Sequence, residues 1–267
     1  MLDKSKMTAP ESESEFVFKM LKYFLSLPFL LITVLLRKKS ANEFFKPIGE
    51  IIKFVFNSKI TLALIIVNIF FYILEIFYFS QEQLKQLAFE PSNLYHFELM
   101  PIFSSWFLHA SLAHLLSNML FLFIFGRIVE KELGSFWLLA IYFFSAIIST
   151  IVSAFFNLGG IGASGAIAGL ISASILLNPF YLTYLILGIP IPIILLGFVA
   201  ITTDLTRILI PQQFDSINHF AHLGGYLASG PLLFLTRKDL RQKTKRNFVI
   251  NLLFLLLILG LKYFRMI

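Results

Sequence analysis

Residues 60–79 read ITLALIIVNIFFYILEIFYF, with Glu75 as the one charged side chain in the run. As a helix rising about 1.5 Å per residue, such a run covers the roughly 30 Å hydrocarbon core of a bilayer. Six further apolar runs follow, near 106–125, 135–156, 164–177, 180–206, 219–235 and 248–264. The fourth is short, which suits a span held inside the bundle with one end reached by water. The fifth contains Pro190 and Pro192, which should kink it. The composition agrees with this reading. Of 267 residues, 58% are hydrophobic and 14% charged, with 32 Phe, and mean hydropathy is +0.83. Soluble domains carry about 25% charged residues, so a soluble enzyme, a disordered chain and a secreted disulfide scaffold are excluded. With no Cys, thiolate chemistry is excluded as well. The expected class is an all-α, polytopic membrane protein.

The net charge of +7 sits in short clusters between the apolar runs, such as Arg37-Lys38-Lys39 and Arg237 to Arg246. That placement suits topology setting and anionic lipid, not nucleic acid. With the N-terminal end of span one in the cytoplasm, the inner segments 37–59, 126–134, 178–179 and 236–247 carry fourteen Lys/Arg, against two in the outer loops 80–105, 157–163 and 207–218. Residues 16–36 form another apolar run, interrupted by Lys19, Lys22 and Pro28. Counting it as a span would reverse this asymmetry, so it is read as an interfacial helix or shallow anchor. An acidic run from Glu11 to Glu15 precedes it, which argues against a cleaved signal peptide. The expected location is the plasma (inner) membrane, with a cytoplasmic N-terminus.

Polar groups inside spans are costly and therefore functional candidates. Span two carries His109-Ala-Ser-Leu-Ala-His114-Leu-Leu-Ser-Asn118, span four opens Gly162-Ala-Ser164-Gly165, and span six opens Asn218-His219-Phe-Ala-His222-Leu-Gly224-Gly225. All three spans run in the same direction, so these residues fall at one depth, in the outer third. His114 and Asn118 share a helical face, as do His219 and His222. His109, five residues before His114, would point away from it. Ser164 opens its helix, where backbone N–H groups favour developing negative charge. This is equipment for acyl transfer: Ser164 as nucleophile, His222 as base, and His114, Asn118 and the Ser164 N–H as oxyanion donors. Asp204 and Asp215 are the nearest acids in sequence, but neither lies inside span six, so a Ser–His dyad is expected. Gly165/Gly169 and Gly225/Ser229 form small-residue faces that let spans four and six approach closely.

In these residues the sequence resembles the rhomboid intramembrane serine proteases. The resemblance rests on the stretch from His109 to Met119, on Gly162-x-Ser164-Gly165, on Ala221-His222-Leu-Gly224-Gly225, and on the turn from Gly126 to Ser135. It implies a six-helix core with a water-filled site open to the outside, a Ser164–His222 dyad, and His114 and Asn118 assisting the oxyanion. It also implies that His109 braces the first outer loop, that span seven is an addition, and that transmembrane segments of other proteins are the substrates. Some members place a Tyr one turn after the nucleophile, stacked on the histidine; here that position is Ala168. Expected domains are an N-terminal segment 1–57, a rhomboid-like catalytic core 58–236, and a basic linker with an extra transmembrane helix, 237–267.

The competing readings are a catalytically inactive relative that binds membrane proteins, a His-based Zn²⁺ site, and a transporter. Ser164 and His222 argue against the first. The missing His-Glu-x-x-His pattern argues against the second, and the lack of matched broken halves against the third. No cofactor or metal is expected, and no nucleic-acid partner; the bilayer and transmembrane substrates are the expected partners. Glu130 and Arg127 read as a structural network, Glu75 as snorkelling to the interface, and Trp106 and Trp137 as interface anchors.

Overall fold

The computed structural model describes residues 13–184, 189–213, 215, 217–236 and 238–265. Residues 1–12, the 185–188 part of the fifth apolar run and Arg237 of the basic cluster lie outside the described residues. The chain is an all-α, multi-pass membrane protein. It divides into two compact units, one of residues 1–59 with 182–191, the other of 60–181 with 192–267.

In the first unit, helix α1 (Glu13–Leu35) packs on α2 (Lys46–Phe56). Phe16 stacks on Phe54 with centroids 3.9 Å apart, and Lys19 meets Glu50 at 2.5 Å. Glu13 accepts from Thr183 Oγ1 at 2.8 Å and from Tyr184 N–H at 2.7 Å. α1 is itself long and apolar enough to cross a membrane.

The second unit holds the remaining helices. α3 (Lys59–Phe77) is followed by three short loop helices, α4 (Gln81–Leu87), α5 (Pro91–Tyr95) and α6 (Leu99–Ser104). α7 (Leu112–Phe121) runs through a π-helical turn, Leu122–Gly126, into α8 (Arg127–Leu133). α9 is Ser135–Phe155 and α10 is Ser164–Leu177. α11 (Ile193–Leu209), α12 (His219–Phe234) and α13 (Lys238–Arg265) complete it. α10 has the bounds expected of the short fourth span, and most of its residues are buried.

Three elements begin elsewhere than the apolar runs suggest. The second span starts at Leu112, because Ser111 is extended (φ −162°, ψ 161°) and its hydroxyl caps the His114 N–H at 3.1 Å. The fifth run is not one kinked helix. Leu182–Thr183 pairs with Ile191–Pro192 as two short strands, β1 and β2, and the helix begins only at Ile193. Pro190 and Pro192 explain this, since a residue before proline is pushed out of the helical region and proline gives no N–H. The basic stretch from Lys238 forms the first turns of α13.

Glu130 of α8 accepts from the N–H groups of Ile60 and Thr61 at 3.0 and 2.9 Å and from Thr61 Oγ1 at 2.7 Å. It thereby caps the first turn of α3, the structural role expected of it. Arg127 lies 4.9 Å over the Phe123 ring. Glu75 does not snorkel; its carboxylate accepts the His109 N–H at 3.1 Å. Trp106 is buried, not an interface anchor, and donates from Nε1 to Thr150 Oγ1 at 3.0 Å.

α13 completes α10. The last carbonyls of a helix have no partner within it. Asn247 Nδ2 donates to Leu176 O and Leu177 O at 2.9 and 3.0 Å, and Asn251 Nδ2 donates to Ile175 O at 2.9 Å. Interhelical bonds in membranes contribute about 0.6 kcal/mol, at most about 1.7. The double substitution Asn247→Leu/Asn251→Leu should therefore lower the thermal midpoint in detergent, while Thr236→Ala, whose hydroxyl donates to Leu233 O within its own turn, should lower it less. Equal midpoints would remove α13 from the support of α10.

Candidate active site

α10 and α12 approach within backbone contact. A Cβ at Gly225 would collide with Gly165 O and lie 2.9 Å from Ala168 Cβ, and a Cβ at Gly169 would lie 3.2 Å from Gly225 O. On the other side of α10, Gly165 and Gly169 press against Ser149 and Ser145 of α9. The small-residue faces expected on the two spans therefore do meet, with α9 as a third partner. At Ala168 the gap between helices is too narrow for the aromatic ring that some rhomboids carry there.

Above this junction lies a cavity of about 620 Å³, lined among others by His114, Asn118, Ser164 and His222. The four residues singled out from sequence thus share one cavity wall. Ser164 is the first residue of α10. The chain enters through Gly162 at φ +124°, a conformation L side chains rarely adopt. A Cβ at Gly162 would sit 2.8 Å from His114 Cε1, 2.9 Å from His114 Nε2 and 3.6 Å from Asn118 Nδ2. The segment leading to Ser164 therefore lies directly on the edges of His114 and Asn118. Asn118 is buried, and its Nδ2 has no hydrogen-bond partner among the described residues.

The entry segment is held from several sides. Gly162 N–H donates to Ser105 O at 2.7 Å, and Phe89 and Gly160 exchange backbone bonds at 3.3 and 3.0 Å. Asn218 caps α12 by accepting from Ala221 N–H at 2.9 Å, and its amide donates to Ser153 Oγ at 2.5 Å and Gly159 O at 3.1 Å.

His109 precedes α7, so helical spacing does not govern it. Its ring lies 5.1 Å from the His114 ring, centroid to centroid, instead of pointing away. Its Nδ1 contacts Phe107 O at 3.0 Å and its N–H is held by Glu75, so it ties the loop to α3.

The sequence reading missed the surroundings of His222. Asp204 of α11 is buried and serves three groups on one face of α12. His222 Nδ1 lies 3.0 Å from Asp204 Oδ1, His219 Nδ1 lies 2.5 Å from the same oxygen, and Tyr226 OH donates to Oδ2 at 2.7 Å. A carboxylate therefore lies against His222, a contact the sequence reading did not anticipate. His219 Nε2 in turn lies 3.0 Å from Asp215 Oδ2, which Arg207 Nε approaches at 3.6 Å. The hydrogen bond from His219 holds the Asp215 carboxyl below its ordinary value. Donor atoms of Asp204, His219 and His222 lie within 4.8 Å of one another, so this trio could hold a cation. Both imidazole Nδ1 atoms are already engaged by the Asp204 carboxylate.

Residues 96–240 match the family model described as Rhomboid domain. The chain is 34% identical over 141 residues to Rhomboid-like protein 11, chloroplastic, of Arabidopsis thaliana, a match covering 49% of this chain and 50% of that protein. It is 27% identical over 189 residues to RHOMBOID-like protein 12, mitochondrial, of the same plant, covering 63% and 56%. It is 30% identical over 203 residues to Rhomboid protease AarA of Providencia stuartii, covering 62% and 68%. The chain spans about half the length of the first curated relatives it matches.

The helix junction yields a paired test. A Cβ at Gly230, also on α12, meets nothing within 4 Å. Gly225→Leu should lower the thermal midpoint in detergent well below that of Gly230→Leu. Equal midpoints would show that the close approach of α10 and α12 is not needed.

Proposed function

Starting from a chain that belongs to the rhomboid family, we propose that it is an intramembrane serine endopeptidase that cleaves transmembrane segments of other membrane proteins. The observation that carries this reading is the single cavity lined by Ser164, His222, His114 and Asn118, with the Gly162 segment laid against the last two. Ser164 Oγ attacks the scissile carbonyl carbon while His222 Nε2 takes its proton. The resulting oxyanion is held by the His114 ring, Asn118 Nδ2 and the Ser164 backbone N–H at the start of α10. His222 then gives its proton to the leaving amine, which departs and leaves an ester on Ser164. Water, losing a proton to His222, attacks that ester; the C–O bond to Ser164 breaks, and His222 returns the proton to Ser164 Oγ as the acid product leaves. An intact substrate helix hides its carbonyls, so it must unwind locally before it can react.

The distribution of basic residues supports a site opening away from the cytoplasm in a plasma (inner) membrane, with 58–236 as the catalytic core and 1–57 as a cytoplasmic or interfacial segment. The chemistry requires neither metal nor organic cofactor.

The test is labelling by a fluorophosphonate probe together with cleavage of a transmembrane substrate. Ser164→Ala and His222→Ala should each abolish both in protein that still folds, and chelator should change neither. Asn118→Ala should lower the cleavage rate by about 10²–10³, the usual value of one oxyanion donor. Activity lost with chelator and restored by Zn²⁺ would replace this reading with a metal site at Asp204, His219 and His222. A folded wild-type protein with neither labelling nor cleavage would leave a non-catalytic relative.

A further inference from the structure

We infer that Asp204 is a positioning residue for His222, so that the site works as a Ser164–His222–Asp204 triad with Tyr226 as the second anchor of the carboxylate. This rests on the protease reading above and specifies how its base is held.

The hydrogen-bond inventory supports it. A carboxylate only accepts, so the contact between His222 Nδ1 and Asp204 Oδ1 requires the proton on Nδ1. Nε2 is then the bare, basic nitrogen. An imidazole bonded through Nδ1 to a buried carboxylate loses its freedom to rotate and to exchange tautomers, which is what a base needs before accepting a proton from serine. Without that bond, a histidine beside a glycine-lined helix junction would have only packing to orient it. Ala168 supplies no ring to pack against, and a Cβ at Gly225 would already touch it.

Asp204 is in turn held rigidly. Tyr226 OH fixes Oδ2, so the carboxylate cannot turn away from α12. His219, at the other end of the same helical face, has Nδ1 on Asp204 and Nε2 on Asp215. With carboxylate oxygens at both nitrogens, it satisfies both bonds only when both carry hydrogen. His219, His222 and Tyr226 stand at i, i+3 and i+7, one stripe of α12, and all three reach one aspartate on α11. That arrangement does more than fill a core. It presents a fixed acceptor to the ring that faces the cavity and bridges it to the Asp215 and Arg207 pair beyond.

The experiment uses the full chain in detergent as wild type, Ser164→Ala, Asp204→Asn, Asp204→Glu and Tyr226→Phe. It measures the rate of fluorophosphonate labelling, kcat and KM on a transmembrane substrate, the thermal midpoint, and the His222 tautomer by ¹⁵N-histidine NMR. Asp204→Asn should lower kcat and the labelling rate by about 10²–10⁴, the range for a general base and for a misoriented triad histidine, with KM unchanged. Asp204→Glu should recover part of the loss, and Tyr226→Phe should lose less than Asp204→Asn. The wild type should show His222 as the Nδ1–H form, and Asp204→Asn a mixture. A folded Asp204→Asn protein with wild-type kcat overturns the inference, as does a loss carried by KM alone. If Asp204→Asn does not fold, Tyr226→Phe decides, and an unchanged kcat there overturns it too. A wild type that Ser164 labelling does not detect would instead fail the protease reading itself, which the Ser164→Ala control separates.

Discussion

The backbone contact between α10 and α12 is the constraint on which the rest depends. In a bilayer, lipid tails are as apolar as leucine, so helices gain little by hiding apolar surface from them and instead associate through close packing. Glycine at 165, 169 and 225 leaves little more than the Ala168 methyl group in the crossing, and serines at 145 and 149 fill the far side of α10 from α9. Ser164 immediately precedes one of these glycines and His222 lies one turn before another. The two proposed reactive groups are therefore carried on a crossing with backbone contact, where a single added methyl group would move them apart. The cavity can be open and polar because the packing beneath it is closed.

The loop held above the crossing has a different logic. Irregular backbone at membrane depth must find partners inside the protein. The segment from Gly159 to Gly162 does so with Phe89, Ser105 and Asn218. Asn218 joins the two halves of the site, since one amide caps α12, holds Ser153 and binds the loop that leads to Ser164. The positive φ at Gly162 is the local cost of bringing that loop down onto His114 and Asn118.

Much of this was legible in the sequence, for physical reasons. Small residues four apart mark a helix face that admits another helix, which is why the α10–α12 crossing could be read directly. Polar residues four apart share a face, which placed His114 with Asn118, and three apart placed His219 with His222. The short fourth span was plain from the length of its apolar run, 164–177. Periodicity failed wherever the chain leaves the helix. His109 and Trp106 lie before Ser111, outside α7, so angles counted along a helix misplaced His109 and a belt-like reading misplaced Trp106. Asp204 was missed because its partners are on another helix, 15 to 22 residues away. Which side of α11 faces α12 depends on where that helix begins, and the strand pair before Ile193 moved that point by about a dozen residues from the run's start at 180. Apolar content alone cannot separate such a strand pair from a helix.

The bonds from Asn247 and Asn251 to the end of α10 have a temporal side. Their acceptors lie 70 to 76 residues earlier in the chain. During synthesis, α10 enters the membrane with its final carbonyls unmet, and they stay so until α13 has been made and docked. The helix that carries Ser164 is thus finished by a segment far downstream of it, so a partly synthesised chain holds Ser164 on a helix whose far end is still unpaired.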